Sequence, residues 1–89
     1  MTFRFSATID IHPSAMGHVI GKRGYIIKRI RKECGVVTFN PPYTENQRNM
    51  VKMTIEGKSR NAVQQAIFQM DHQIAISNQW YRNNGVEYY

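Results

Sequence analysis

The chain has 89 residues, 42% of them hydrophobic, and carries twelve Lys and Arg against six Asp and Glu for a formal charge of +6. That length supports one modest core and is too short for two, while the apolar content argues against a disordered chain. Cys34 is the only cysteine, which excludes an intramolecular disulfide and a cysteine-rich metal site, and no apolar run approaches the length of a membrane span.

Residues 3–11, FRFSATIDI, set Phe3, Phe5, Ala7, Ile9 and Ile11 against Arg4, Ser6, Thr8 and Asp10. This period of two predicts a half-buried strand. His12-Pro13 ends it, and Pro13 suits the first turn of a short helix, PSAMGHVI, that stops at Gly21. From Gly24 onward, Ile26, Ile27 and Ile30 keep helical spacing while Lys28, Arg29, Arg31 and Lys32 take the other faces, and Gly35 is a natural C-terminal cap. VVTFN (36–40) is a strand by propensity, ended by Pro41-Pro42 and followed by a polar loop. MVKMTIEG (50–57) alternates Val51, Met53 and Ile55 with Lys52, Thr54 and Glu56, a further half-buried strand. Ser59 can cap a long helix whose apolar line is Ala62, Val63, Ala66, Ile67, Met70 and Ile74, with Trp80 near its end. The order β-α-α-β-β-α predicts a two-layer α/β sandwich, one domain over 1–89 with its core at about 5–80 and a flexible tail at 81–89.

The positive charge is concentrated. Six of the twelve cations lie between Lys22 and Lys32, which points to an anionic partner more strongly than net charge does. Within that window, Gly21 and Gly24 bracket Lys22 and Arg23. A P-loop needs a different glycine spacing and a hydroxyl after its lysine, but Gly17 lies one residue too close to Gly21 and Arg23 follows Lys22. A dinucleotide fingerprint fails on the spacing of Gly17, Gly21 and Gly24, and because a helix precedes them. What remains is helix, Gly-Lys-Arg-Gly, helix. Two glycines let the chain reverse tightly and approach a ligand without Cβ interference. The second helix begins there, with its free amides and positive dipole end at the tip.

VIGKRGYIIKRI closely resembles the signature of the KH domain family, through Val19, Ile20, Gly21, Gly24, Ile27 and Ile30. The element order is similar to the type I, eukaryotic-type arrangement, and TIEG before a helix is typical of the family's third strand and final helix. The resemblance implies an α+β fold in which a three-stranded antiparallel sheet packs against three helices. It also implies binding of single-stranded nucleic acid, about four nucleotides long, with the glycine loop clamping the backbone. RNA is the expected partner and single-stranded DNA the alternative. Carried over by position, one wall of the groove is Gly17, His18 and Ile20 with the loop Gly21, Lys22, Arg23 and Gly24. Ile27 supports the floor, and Arg31 projects about two turns beyond the loop. The opposite wall is the second strand, where family members commonly show Gly-Val-x-Ile-x-Phe/Ile but this chain has Val36-Val37-Thr38-Phe39-Asn40. Either Val37 and Phe39 point inward, or Thr38 and Asn40 do, because a slip of one residue reverses every side chain.

His12, His18 and His72 lack metal-ligand spacing, so no metal, cofactor or catalysis is expected. Six acids without a paired arrangement and no nucleophile–base set argue against an enzyme. Tyr25 reads as packing or solvent-facing, and PPY as a strand terminator. Phe68 and Trp80 read as core or as a self-association face. A contrasting reading is therefore a protein-interaction or dimerisation scaffold on the same fold, with a homodimer or other RNA-binding proteins as partners. Against it, Lys22 and Arg23 are phosphate-friendly, where a retired binding loop often carries acidic or bulky residues. The N-terminus MTFRFSATID lacks the apolar core of a signal peptide, so the expected location is intracellular, cytoplasmic or nuclear, with no membrane association.

Overall fold

A computed structural model describes residues 5–44 and 46–83. Strand β1 (Phe5–Ile11) leads into helix α1 (Pro13–Ile20), a 3-10 turn at Lys22–Gly24, and helix α2 (Tyr25–Cys34). Strands β2 (Val36–Phe39) and β3 (Val51–Gly57) follow, and helix α3 (Arg60–Asn83) closes the chain. The sequence expectation holds in order and type. Phe3 and Arg4, expected in the first strand, and residues 84–89 of the expected tail lie outside the described residues. Helix α3 continues to Asn83, three residues past the expected end of the core.

The sheet is antiparallel with spatial order β1-β3-β2. Its register aligns Ile11 with Val51, Ile9 with Met53 and Ala7 with Ile55. Directly paired residues share a face, so the apolar halves of β1 and β3 coincide and receive the helices. The other face carries Ser6, Thr8, Asp10, Lys52, Thr54 and Glu56. Lys52 Nζ reaches Asp10 Oδ1 at 3.4 Å there, an exposed pair that contributes little.

Met16 and Val19 from α1, Ile27 and Ile30 from α2, and Val63, Ala66 and Met70 from α3 fill the space above the sheet. Each large apolar side chain removed from water stabilises the fold by about 1.5–3 kcal/mol. Local signals agree with this packing. Pro13 stands in the first turn of α1, and Ser59 Oγ accepts from the Ala62 N–H at 3.1 Å to cap α3. At the end of α2, Gly35 adopts φ +68° and its N–H returns to the Arg31 carbonyl at 2.9 Å.

Candidate nucleic-acid interface

The junction of α1 and α2 is determined by its glycines. Gly21 has φ +80° and ψ 170°, a conformation reserved in practice for glycine. A Cβ there would sit 2.7 Å from Ile26 Cγ1 and 2.9 Å from the Ile26 nitrogen, so Ile26 packs where a side chain would have to be. Gly24 follows at φ +74° and ψ 17° in the left-handed region. Between them Arg23 also has positive φ, +56°, the sole non-glycine residue to do so among those described. That costs an L-residue about 1–2 kcal/mol. The Gly21 N–H bonds the Gly17 carbonyl at 2.9 Å and the Gly24 N–H bonds the Gly21 carbonyl at 3.0 Å, which fixes the reversal.

The tip projects two cations into solvent. Lys22 and Arg23 are exposed, and among the described residues neither has an acidic partner within salt-bridge distance. Their neighbour on α2, Arg29, differs: it lies 3.9 Å from Glu33. Gly17 leaves bare surface on α1, since a Cβ there would meet nothing within 4 Å. Ile20 is half-buried against the core and Ile27 is 5% exposed, so Ile27 is above all a core residue. Arg31 is half-buried, and its Nε is shut off from solvent without a hydrogen-bond partner among the described residues. A guanidinium nitrogen in that state is costly to leave unmatched. Cys34, at the end of α2, has its thiol pKa pushed up by burial and secondarily by Glu33, which keeps it neutral and a poor nucleophile.

The register of β2 answers what its composition left open. Val36 pairs with Gly57 and Thr38 with Ile55, so both lie on the face that receives the helices. Val37 and Phe39 pair with Glu56 and Thr54 and belong to the open face, where Phe39 is 54% exposed. Asn40 follows the strand and is exposed, its Nδ2 donating to the Pro41 carbonyl at 3.0 Å. Thr38 is thus separated from Val37 and Phe39 by the sheet itself, while Asn40 lies beyond the paired residues. In the loop beyond, Tyr43 packs on the core. Gln47 holds that loop from both sides, accepting the Thr44 N–H at 2.9 Å through Oε1 and donating from Nε2 to the Asn49 carbonyl at 2.9 Å.

His18 has a neighbour that sequence reasoning did not assign to it. Its ring centroid lies 6.0 Å from that of Trp80 on α3, with the planes tilted by 49°. Nothing in the local sequence links them, since 62 positions separate the two and only the packing of α1 on α3 brings them together. Among the described residues no helix is long and apolar enough to cross a membrane, and no group of three His, Cys, Asp or Glu residues is placed to hold a metal ion.

The sequence model of the KH domain family matches residues 6–72, from the second residue of β1 to the middle of α3. No curated protein sequence matches the chain.

Proposed function

Because the chain belongs to the KH domain family, whose members bind single-stranded nucleic acid, we propose that it grips about four nucleotides of single-stranded RNA between the α1–loop–α2 junction and β2. The observation that carries this reading is the tip: two exposed cations without acidic partners among the described residues, on a backbone held by positive-φ residues at Gly21, Arg23 and Gly24. A phosphate there meets Lys22, Arg23 and the positive end of α2 at once. Arg31, half-buried, adds a positive charge about two turns further along α2. The bases then lie across Ile20 and the edge of Ile27, with Gly17 allowing close approach to α1. Thr38 and Asn40 meet their edges, a choice supported by the pairing of Thr38 with the core residue Ile55. The role is binding without chemistry.

The test is the double substitution Lys22→Asp, Arg23→Asp. Both side chains are exposed, so stability should change by no more than about 0.5 kcal/mol per site. Binding to a mixed-sequence single-stranded RNA, followed by anisotropy, should be abolished at physiological salt. Wild-type affinity should fall with added salt, each neutralised phosphate contributing about −0.7 to the logarithmic slope. A folded double mutant with unchanged affinity would remove the loop from the mechanism.

A further inference from the structure

Helix α3 runs past the end of the family match. The match ends at residue 72, but α3 continues to Asn83. The added turns are packed, not projecting: Ser77 is fully buried and Ile74 lies against the core. This packing brings Trp80 to His18, which stands one helical turn before Gly21. One turn of rise plus the ring separation sets the indole on the order of 10 Å from the glycine loop.

Trp80 is not spent on the core, because 47% of it is exposed. Its surroundings suit a polyanion. Neither α1 nor residues 73–83 contain an acidic side chain, Arg82 is exposed two positions beyond, and Lys22 and Arg23 stand at the near end of α1. The other prominent apolar residue of the helix, Phe68, is 72% exposed but lies twelve positions earlier, about 120° around the axis. The two therefore do not form one seam for a partner helix.

We propose that Trp80, braced by His18, is a stacking platform for a nucleotide base outside the four-nucleotide groove. Arg82 then neutralises the phosphate of the connecting backbone. The proposal rests on the groove reading above and extends it past α1. Stacking on an indole tolerates any base, since every base has a π face, so the platform adds affinity without sequence preference. The length of strand that binds tightly should thus exceed that of the groove.

Trp80 is the only tryptophan in the chain, which makes its emission a direct probe. Mixed-sequence single-stranded RNAs of four and eight nucleotides are titrated into the wild type and into Trp80→Leu, a change that keeps apolar bulk and removes the π face. Affinity is read by anisotropy of labelled RNA and indole quenching in the wild type. The octamer should quench Trp80 and the tetramer should not. Trp80→Leu should lose roughly tenfold in octamer affinity and nothing in tetramer affinity. Octamer binding without quenching overturns the platform and leaves the groove standing, as does full octamer affinity in a folded Trp80→Leu. Loss of a dimer in that variant, seen by sedimentation, also overturns it and makes the indole a self-association contact. Failure of the wild type to bind either length removes the groove and the platform together. The quenching measurement needs no variant, so misfolding of Trp80→Leu would not protect the proposal.

Discussion

The loop from Gly21 to Gly24 and the strand from Val36 to Phe39 flank the proposed groove, and different physics holds each in place. In the loop, backbone conformation decides. Three of its four residues have positive φ, and Ile26 occupies the space a Cβ on Gly21 would need. In the strand, the residues themselves decide little, since Val36, Val37 and Phe39 would each accept an inward position. Its orientation is set by pairing with β3, which aligns Val36 with Gly57 and Thr38 with Ile55. A flank fixed by backbone geometry can vary at its exposed tip without moving. A flank fixed by pairing carries its information in whichever side chains the register turns inward. The first is suited to phosphates, which are the same in every sequence, and the second to bases, which are not.

The largest expected effect breaks the loop. Gly21→Ala places a methyl group against Ile26 in a backbone region that L-residues avoid. Strained backbone costs about 1–3 kcal/mol, and displacing Ile26 a similar amount, about 1–3 kcal/mol. Urea denaturation should show a loss of at least about 2 kcal/mol on those combined terms. A loss within error would mean that the loop relaxes freely and that geometry does not hold this flank.

A smaller effect separates stability from binding within the same loop. Arg23 sits at φ +56°, where glycine is at ease. Arg23→Gly should therefore raise stability, by about 1 kcal/mol at most, while weakening RNA binding and flattening its salt dependence by about 0.7 in slope. A variant that is both less stable and equally tight would contradict the assignment of Arg23 to phosphate.

The smallest effects belong to the strand. Thr38→Val keeps shape but removes a hydroxyl on the helix-facing side, and should alter preference among short RNAs without changing the salt slope. Phe39→Ser, on the open face, should leave preference and affinity as they are. Reversal of these two outcomes, read by competition among single-stranded oligonucleotides, would place the bases on the wrong side of β2.

Legibility in the sequence follows the same division. The strands β1 and β3 could be read because alternation is strict from Phe5 to Ile11 and from Val51 to Ile55, and the helices because Gly21, Gly24, Gly35 and Ser59 mark their ends. The glycine loop was legible because few residues satisfy its backbone conformation. Strand β2 was legible as a strand but not in its facing, because Val-Val-Thr-Phe has no alternation and its register is a property of β3. Nor was the contact of His18 with Trp80, which joins distant positions through the packing of α1 on α3. The end of α3 ran past its expected limit because polar composition near residue 81 resembles a tail, while the buried Ser77 ties the preceding turns down.

The central claim is that the chain holds unpaired nucleotides in a groove and does not merely attract polyanions to a basic patch. A charge of +6 will draw duplex as well as single strand, but that part of the attraction fades with salt. A duplex would be too broad for the proposed groove, and pairing would hide the base edges that Thr38 and Asn40 are proposed to meet. The most direct measurement is a competition at physiological salt, in which labelled single-stranded RNA is displaced by unlabelled single strand or by duplex of the same sequence. Displacement by single strand alone is the predicted result; equal displacement by duplex would contradict the groove and leave only a basic surface.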